Sequence, residues 1–344
     1  MAINYEFGSD NHSGVHHKII KAIEVANKDY AVAYGEDEYT KNTIKKFKNH
    51  FGKDIEVFFV GNGTAANILG LMTVTNSFNS IICAKTAHLT VHECCGPEKF
   101  IGCKLVTIPT DNGKLTTESI KNNLEGFGDV HMAQPKVISI TQSTELGTVY
   151  TPKEIRTLSN FAHKNKMLLH MDGARLCNAA VSLNCNLSEI SGDAGVDILS
   201  CGGTKNGMMF GDAVIFFDKK LSKNFEFFRK QGMHLTSKMR FISVQFDEFF
   251  KDDLWKSNAK HANKMAKLFY EKIKDTKEIK ITQKVESNAI FAILAKKHIK
   301  KLQEKYFFHI FNERTNEVRW MCSYNTKKNN VLEFADTIKQ VVKN

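Results

Sequence analysis

Between about residues 55 and 217 the chain alternates short apolar runs with longer amphipathic stretches. The runs are EVFFV, SIICA, KLVTI, KVISIT, KMLLHM, VDILS and AVIFF, several of them β-branched, as strands buried on both faces tend to be. Between them lie segments such as TAANILGLMTVT and TPKEIRTLSNFAHKNK, whose pattern is helical. The alternation predicts an α/β domain with a largely parallel sheet and helices on both faces. Reactive groups in such sheets collect at the carboxyl ends of the strands, so the residues that end each run are the candidates for chemistry.

Near residue 250 the texture changes. A long helical stretch, LWKSNAKHANKMAKLFYEKIKD, leads into EIKIT, NAIFAIL, KHIKKLQEKY, FFHIFN, VRWMCS and VLEFADTIKQVVK, which read as strand, strand, helix, strand, strand, helix. That order predicts a small α+β domain. The expected division is an N-terminal segment at 1–14 that reaches the site, a large domain at 15–248 and a small domain at 249–344. A chain of 344 residues and 38.9 kDa suits one large core plus a smaller one.

Composition narrows the function classes. No apolar run approaches the roughly 20 residues of a membrane helix, and MAINYEFGSDNHSG lacks a charged-then-apolar signal pattern, so a cytoplasmic protein without a membrane partner is expected. The net charge of +11 permits nucleic-acid binding. The lysines, however, are spread along amphipathic faces (KNTIKKFKNHF, KKHIKKLQEKY) without aromatic stacking repeats, so no nucleic-acid partner is expected. The positive surplus also suits a small anionic ligand. The eight cysteines read as free thiols. His88 and His92 lie four apart in CAKTAHLTVHECC, but with no paired CxxC and no glutamate after His88 a metal site is not expected.

Three strand ends carry the chemistry. In VGNGTAAN a strand stops at Val60, two glycines turn the chain, and a helix starts near Thr64; backbone N–H groups there make an anion site that includes Gly63 and the Thr64 hydroxyl. In LLHMDGARLCNA, Asp172 ends an apolar run and Arg175 follows. The pair reads either as a helix cap with its partner or as an acid that holds a protonated ring nitrogen. In SCGGTKNGMMFG, Lys205 sits among glycines between two apolar runs. It reads as a solvated turn or, with partners, as a reactive amine. Pyridoxal phosphate requires this set: a cradle for its phosphate, a carboxylate against its pyridinium, and a lysine to condense with its aldehyde.

At these stretches, together with GSDNHSG, AVAYGEDEYT, AHLTVHECCGPE and DVHMAQPKVISITQSTELGTVY, the chain resembles the threonine aldolase branch of the β-eliminating lyases, within the aspartate-aminotransferase-like class of pyridoxal-phosphate enzymes. The GGTKNG form is that of the low-specificity L-threonine aldolases. The resemblance runs from about residue 5 to 245 and is weaker beyond, apart from EVRWMCSYNT. It implies a mostly parallel seven-stranded sheet flanked by helices, and a lyase of β-hydroxy-α-amino acids acting in threonine catabolism and glycine formation. Lys205 would carry the pyridoxal phosphate as a Schiff base, Asp172 would pair with its ring nitrogen, and Gly63 and Thr64 would bind its phosphate. His88 would stack on the ring, and His131 would lie near the substrate hydroxyl, either histidine serving as base. Ser9, Arg175 and Arg319 would hold the substrate carboxylate. Tyr34 would reach an active site, that of a neighbouring subunit included, and Arg229 and Lys230 would be candidate phosphate contacts across an interface. A homo-oligomer, a dimer of dimers, is implied. Cleavage of a bulkier substrate such as phenylserine, β-elimination, racemisation, and a non-enzymatic binding protein on the same fold remain open at this point.

Overall fold

The computed structural model describes residues 3–343; residues 1, 2 and 344, at the outer limits of the expected N-terminal segment and small domain, lie outside the described residues. The seven apolar runs are seven strands of one sheet: β1 (Glu56–Val60), β2 (Asn79–Ala84), β3 (Lys104–Ile108), β4 (Gln134–Thr141), β5 (Leu168–Gly173), β6 (Ile198–Gly202) and β7 (Asp212–Phe216). Their order across the sheet is β1-β7-β6-β5-β4-β2-β3. β2 through β6 run parallel to one another, and β7 runs antiparallel to both of its neighbours, β1 and β6. The fold is therefore α/β with a mostly parallel sheet, as the alternation predicts.

The reversal of β7 follows from chain length. Nine residues, Gly203–Gly211, separate β6 from β7, too few for the helical crossover that a parallel return requires. In consequence the first residue of β7, Asp212, lies level with the last residues of β6 and β1, Gly202 and Val60. The carboxyl edge of the sheet thus acquires one residue from an amino end.

The helix Gly63–Val74 starts at the end of β1, capped by the Asn62 side chain, which accepts from Ala65 N–H at 2.9 Å. It is apolar almost all round and largely buried, and at Gly70 it comes close enough that an added Cβ would meet Ile198 and Val214 at 3.3 Å. A phenylalanine cluster (Phe47, Phe51, Phe59, Phe246, Phe249, Phe250) joins the helices Glu38–Phe51 and Arg240–Phe250 to β1.

After the long helix Leu254–Ile273 come β8 (Lys280–Ile281), β9 (Ala289–Ile293), β10 (His309–Asn312) and β11 (Glu317–Met321), an antiparallel sheet in the order β10-β11-β9-β8. The helices Lys296–Gln303 and Lys328–Lys343 accompany it. Trp320, Phe269, Phe334 and Tyr306 form its core. Phe7 is fully buried in that core, and Met321 N–H donates to Phe7 C=O at 2.9 Å, so the N-terminal segment is stitched to the small sheet while its next residues face the large one.

Phe47 is fully buried, with the Phe250, Phe246, Phe59 and Phe51 rings 4.8, 5.1, 5.7 and 5.9 Å from its own. Phe47→Ala is expected to lower unfolding stability by about 3–5 kcal/mol, read from the midpoint of urea denaturation.

Candidate active site

Two adjoining cavities open along the carboxyl edge of the large sheet. The inner one, about 240 Å³, is lined by Gly63, Thr64, Asn67, Asp172, Thr204 and Asp212. The outer one, about 640 Å³, is lined by Ser9, His92, His309, Phe311 and Arg319, and so extends to the small sheet. His88, Glu145, Arg175 and Lys205 line both.

Lys205 lies in a 3₁₀ turn, Thr204–Asn206, directly after β6. The glycines around it have steric causes. A Cβ at Gly203 would strike Met208 Sδ at 2.1 Å, and one at Gly202 would meet Asp212 Oδ1 at 2.9 Å and Ala174 Cα at 3.1 Å. Gly207 ends the turn at φ +103°, a conformation that L side chains avoid. Asn206 fixes the turn to the long helix, donating to Trp255 C=O at 2.9 Å and accepting at its own C=O from Asn258 at 2.8 Å. Lys205 is therefore held at a cavity wall rather than solvated on a loop. Burial and the neighbouring Arg175 charge lower its proton affinity below that of an ordinary lysine, against the opposing pull of Asp10, Asp172 and Asp212.

Asp172, at the end of β5, accepts from Asn67 Nδ2 at 2.9 Å on Oδ2 and from Ala174 N–H at 2.9 Å on Oδ1. Burial alone would raise its pKa; the Lys205 charge, those two donors and His88 outweigh it and hold the carboxyl below the usual range, ionised. Beneath it on the same strand, His170 is fully buried between Ser139 Oγ at 2.9 Å and Ser200 Oγ at 3.2 Å, and burial drops its pKa to about 4, so it is neutral.

Arg175 does not pair with Asp172. Its Nε donates to Asp10 Oδ2 at 2.7 Å and its Nη2 to Asp10 Oδ1 at 2.9 Å, a two-point pair. Asp10 also accepts from Asn288 Nδ2 at 3.1 Å. Burial pushes the Asp10 carboxyl up, but Arg175, Lys205 and Asn288 more than offset this and keep it ionised. Ser9 caps the short 3₁₀ helix Asp10–His12 and lines the outer cavity.

Across the inner cavity, His88 opens a short helix after β2. Its backbone N–H donates to Glu145 Oε1 at 2.7 Å, and its Nδ1 lies 3.0 Å from Glu93 Oε1. Glu93 also accepts from Asn67 Nδ2 at 2.9 Å, so Asp172, Asn67, Glu93 and His88 form one chain of hydrogen bonds. This leaves His88 Nε2 as the free ring nitrogen. Glu93 is thus a partner of His88. Glu145 accepts also from Thr141 at 2.8 Å, has its Oε2 buried without a partner, and is raised in pKa by burial. Arg319, on β11, faces the outer cavity; burial and Arg175 lower its pKa to about 10, and its Nε is buried without a partner.

Lys205, Asp172, Gly63, Thr64, His88, Arg175, Ser9 and Arg319 are brought together. His131 is not. It sits in the exposed loop before β4, at the amino edge of the sheet, its N–H bonded to Asp129 at 2.9 Å, and it lines a separate surface pocket with Lys104 and Asn122. Because β4 runs toward the site from that loop, His131 is excluded as a base in its own chain's cavity. Tyr34 lines neither cavity; it is half exposed at φ +62°, with Lys230 Nζ 5.5 Å from its ring centre. Arg229 is buried against the Phe58 ring at 5.5 Å. Asp10, Asn67, Glu93, Glu145 and Asp212 were not singled out as site residues from sequence, although the first four lie inside stretches that carry the resemblance and Asp212 directly follows one.

The fit to pyridoxal phosphate rests on the open cradle. A Cβ at Gly63 would meet no atom of the protein closer than Asp212 Oδ1 at 3.8 Å, so the space above the helix start belongs to the cavity and not to packing. With the ionised Asp172 and the cavity-facing Lys205, the cradle supplies all three elements that cofactor requires.

The chain is similar to known proteins over nearly its whole length. A family model described as "Beta-eliminating lyase" matches residues 6–297. A "Low specificity L-threonine aldolase" from a Pseudomonas species is 39% identical over 339 residues, covering 98% of each chain. One from Pseudomonas aeruginosa is 40% identical over 340 residues, again covering 98% of each. The solved threonine aldolase of Leishmania major superposes with a TM-score of 0.92 at 28% identity, covering 98% of this chain and 99% of that one.

Asp10→Ala would leave the Arg175 charge buried without its partner. A loss of about 3–5 kcal/mol in unfolding free energy is expected in urea titrations, and a smaller loss for Asp10→Asn, which keeps one acceptor oxygen.

Proposed function

The chain belongs to the beta-eliminating lyase family, and on that premise we propose that it cleaves L-threonine and L-allo-threonine to glycine and acetaldehyde as a pyridoxal-phosphate-dependent aldehyde-lyase. The observation that carries the reading is the convergence of Lys205, Asp172 and the helix start at Gly63 and Thr64 on one cavity whose outer part holds Arg319. When bound, the cofactor supplies an aldehyde for condensation with an amine and a protonated ring that takes up the electrons of the broken Cα–Cβ bond.

The chain's own groups divide the remaining work. Lys205 is the amine that holds the cofactor covalently, and its lowered proton affinity leaves more of it neutral and nucleophilic near pH 8 than an exposed lysine would be. Asp172, ionised and fixed by Asn67 and the Ala174 N–H, keeps a proton on the ring nitrogen. Gly63 and Thr64 hold the phosphate. Arg319 and Ser9 bind the substrate carboxylate, with Arg175 as a fixed positive charge behind them, and so select which Cα bond is broken. His88 is the base for the β-hydroxyl proton: Glu93 holds Nδ1, and Nε2 is free to accept. Glu145 holds the backbone of His88 in place.

On this reading the chain divides into 1–14, 15–248 and 249–344, acts in the cytoplasm, forms glycine, and assembles as a dimer of dimers. The exposed Tyr30, Val32, Tyr34 and Met233 support a subunit contact through which Tyr34 or Lys230 would approach a neighbour's site, whereas Arg229 is buried within its own chain. No helix among the described residues is long and apolar enough to cross a membrane.

With added pyridoxal phosphate, the purified protein is expected to release acetaldehyde from L-threonine and L-allo-threonine and not from D-threonine. Lys205→Ala should abolish that release; turnover retained in this variant overturns the assignment. Arg319→Ala should raise KM for L-threonine by about 10- to 100-fold, as the loss of a charge-assisted pair of about 1.5–3 kcal/mol requires.

A further inference from the structure

Asp212 is an acid in an unexpected place. It is 7% exposed, and its carboxyl lines the inner cavity beside Asn62, Gly63, Thr64, Thr204 and Lys205. Its Oδ1 lies at the spot facing the Gly63 helix start. No group among the described residues donates a hydrogen bond to the carboxyl. The charged and titratable groups around it are Lys205 from the turn after β6, Asp172 from β5, Arg175 beyond it, and His234, whose Nδ1 accepts from Gly61 N–H at 3.1 Å.

A carboxylate at the wall of an anion cradle would repel the anion. Two cations line that cavity. Arg175 is already bound to Asp10, and Lys205, once condensed with an aldehyde, would be a weaker base than the free amine. A carboxylic acid, by contrast, offers an O–H donor to a phosphate oxygen. We infer that Asp212 is a proton-linked wall of the cradle: it is protonated and donates a hydrogen bond when a phosphate group occupies the turn at Gly63 and Thr64, so phosphate binding draws one proton from solvent. The identification of that phosphate with the cofactor's rests on the function proposed above.

The local field agrees. Burial pushes the Asp212 pKa up to about 7, Lys205 pulling it down and Asp172 adding to the rise. A bound phosphate favours the protonated form and raises it further. Below about pH 7 the acid already carries its proton, and binding takes up none. Above that pH, uptake approaches one proton and affinity falls, by up to tenfold per pH unit.

The test titrates the full chain, freed of cofactor, with pyridoxal phosphate, with pyridoxal and with inorganic phosphate between pH 6 and 9. Calorimetry in two buffers of different ionisation enthalpy counts the protons. At pH 8 the phosphorylated ligand is expected to take up close to one proton more than pyridoxal. The ratio of their affinities should fall above pH 7, and inorganic phosphate should show the same uptake. Asp212→Asn, which keeps a neutral donor of the same shape, should remove both the extra uptake and the slope. Equal proton counts for pyridoxal and its phosphate in the unmutated chain, or an unchanged slope in Asp212→Asn, overturn the inference. The proton count in the unmutated chain decides the matter even if the variant does not fold. If pyridoxal phosphate binds at no pH, the proposed function fails, and the inorganic phosphate series still decides the role of Asp212.

Discussion

A lysine amine lining an enclosed cavity loses hydration, and its charged form survives there only in the field of nearby anions. Much of this site follows from meeting that requirement around Lys205. Asp10, Asp172 and Asp212 all pull on its proton, while Arg175 pushes against it. The balance leaves the amine lowered in pKa but still coupled to three carboxyls that differ from one another. Asp10 is ionised by a two-point pair with Arg175, Asp172 by Lys205 and two hydrogen-bond donors, and Asp212 has no donor among the described residues. Similar carboxyls are therefore held in different states: one binds an arginine, one is kept ionised at the end of β5, and one lines the cavity without such support.

The architecture delivers these groups from distant parts of the chain. The short return between β6 and β7 turns β7 around and sets Asp212 at the edge where Gly202, Asp172 and Val60 end. The N-terminal segment anchors Phe7 in the small sheet's core and, three residues on, places Asp10 against Arg175 of the large sheet. β11 carries Arg319 to the outer cavity while its neighbour Trp320 is buried in the small core. The position of the Arg319 charge thus depends on the packing of a second hydrophobic core, which ties the stability of the small sheet to the geometry of the site.

Much of this was legible before any coordinate. The seven runs became seven strands, and the strand and helix order after residue 250 held throughout. Asp172, Lys205, Gly63 and Thr64 were found because each lies at or just beyond the end of an apolar run, and strand ends are where such sheets place their chemistry. Asp212 escaped that rule because it begins a strand, and only the reversal of β7 brings it to the same edge. Glu93 and Asn67 escaped because their role is a link between Asp172 and His88, four groups spread over more than a hundred residues. His131 was selected for its residue type and motif, which carry no information about the end of the sheet on which its loop lies.

The sequence by itself determined the elements, their order and the residue types available for catalysis, because hydrophobic period, turn glycines and helix starts are properties of neighbours along the chain. The tertiary structure alone decided which acid meets which base. Arg175 pairs with Asp10 and not with Asp172 three residues away, and Asp212 stands beside the cradle with no hydrogen-bond donor among the described residues. Those pairings depend on strand direction and on how two cores pack against each other, and a charge buried by such packing takes its protonation state from its neighbours in space.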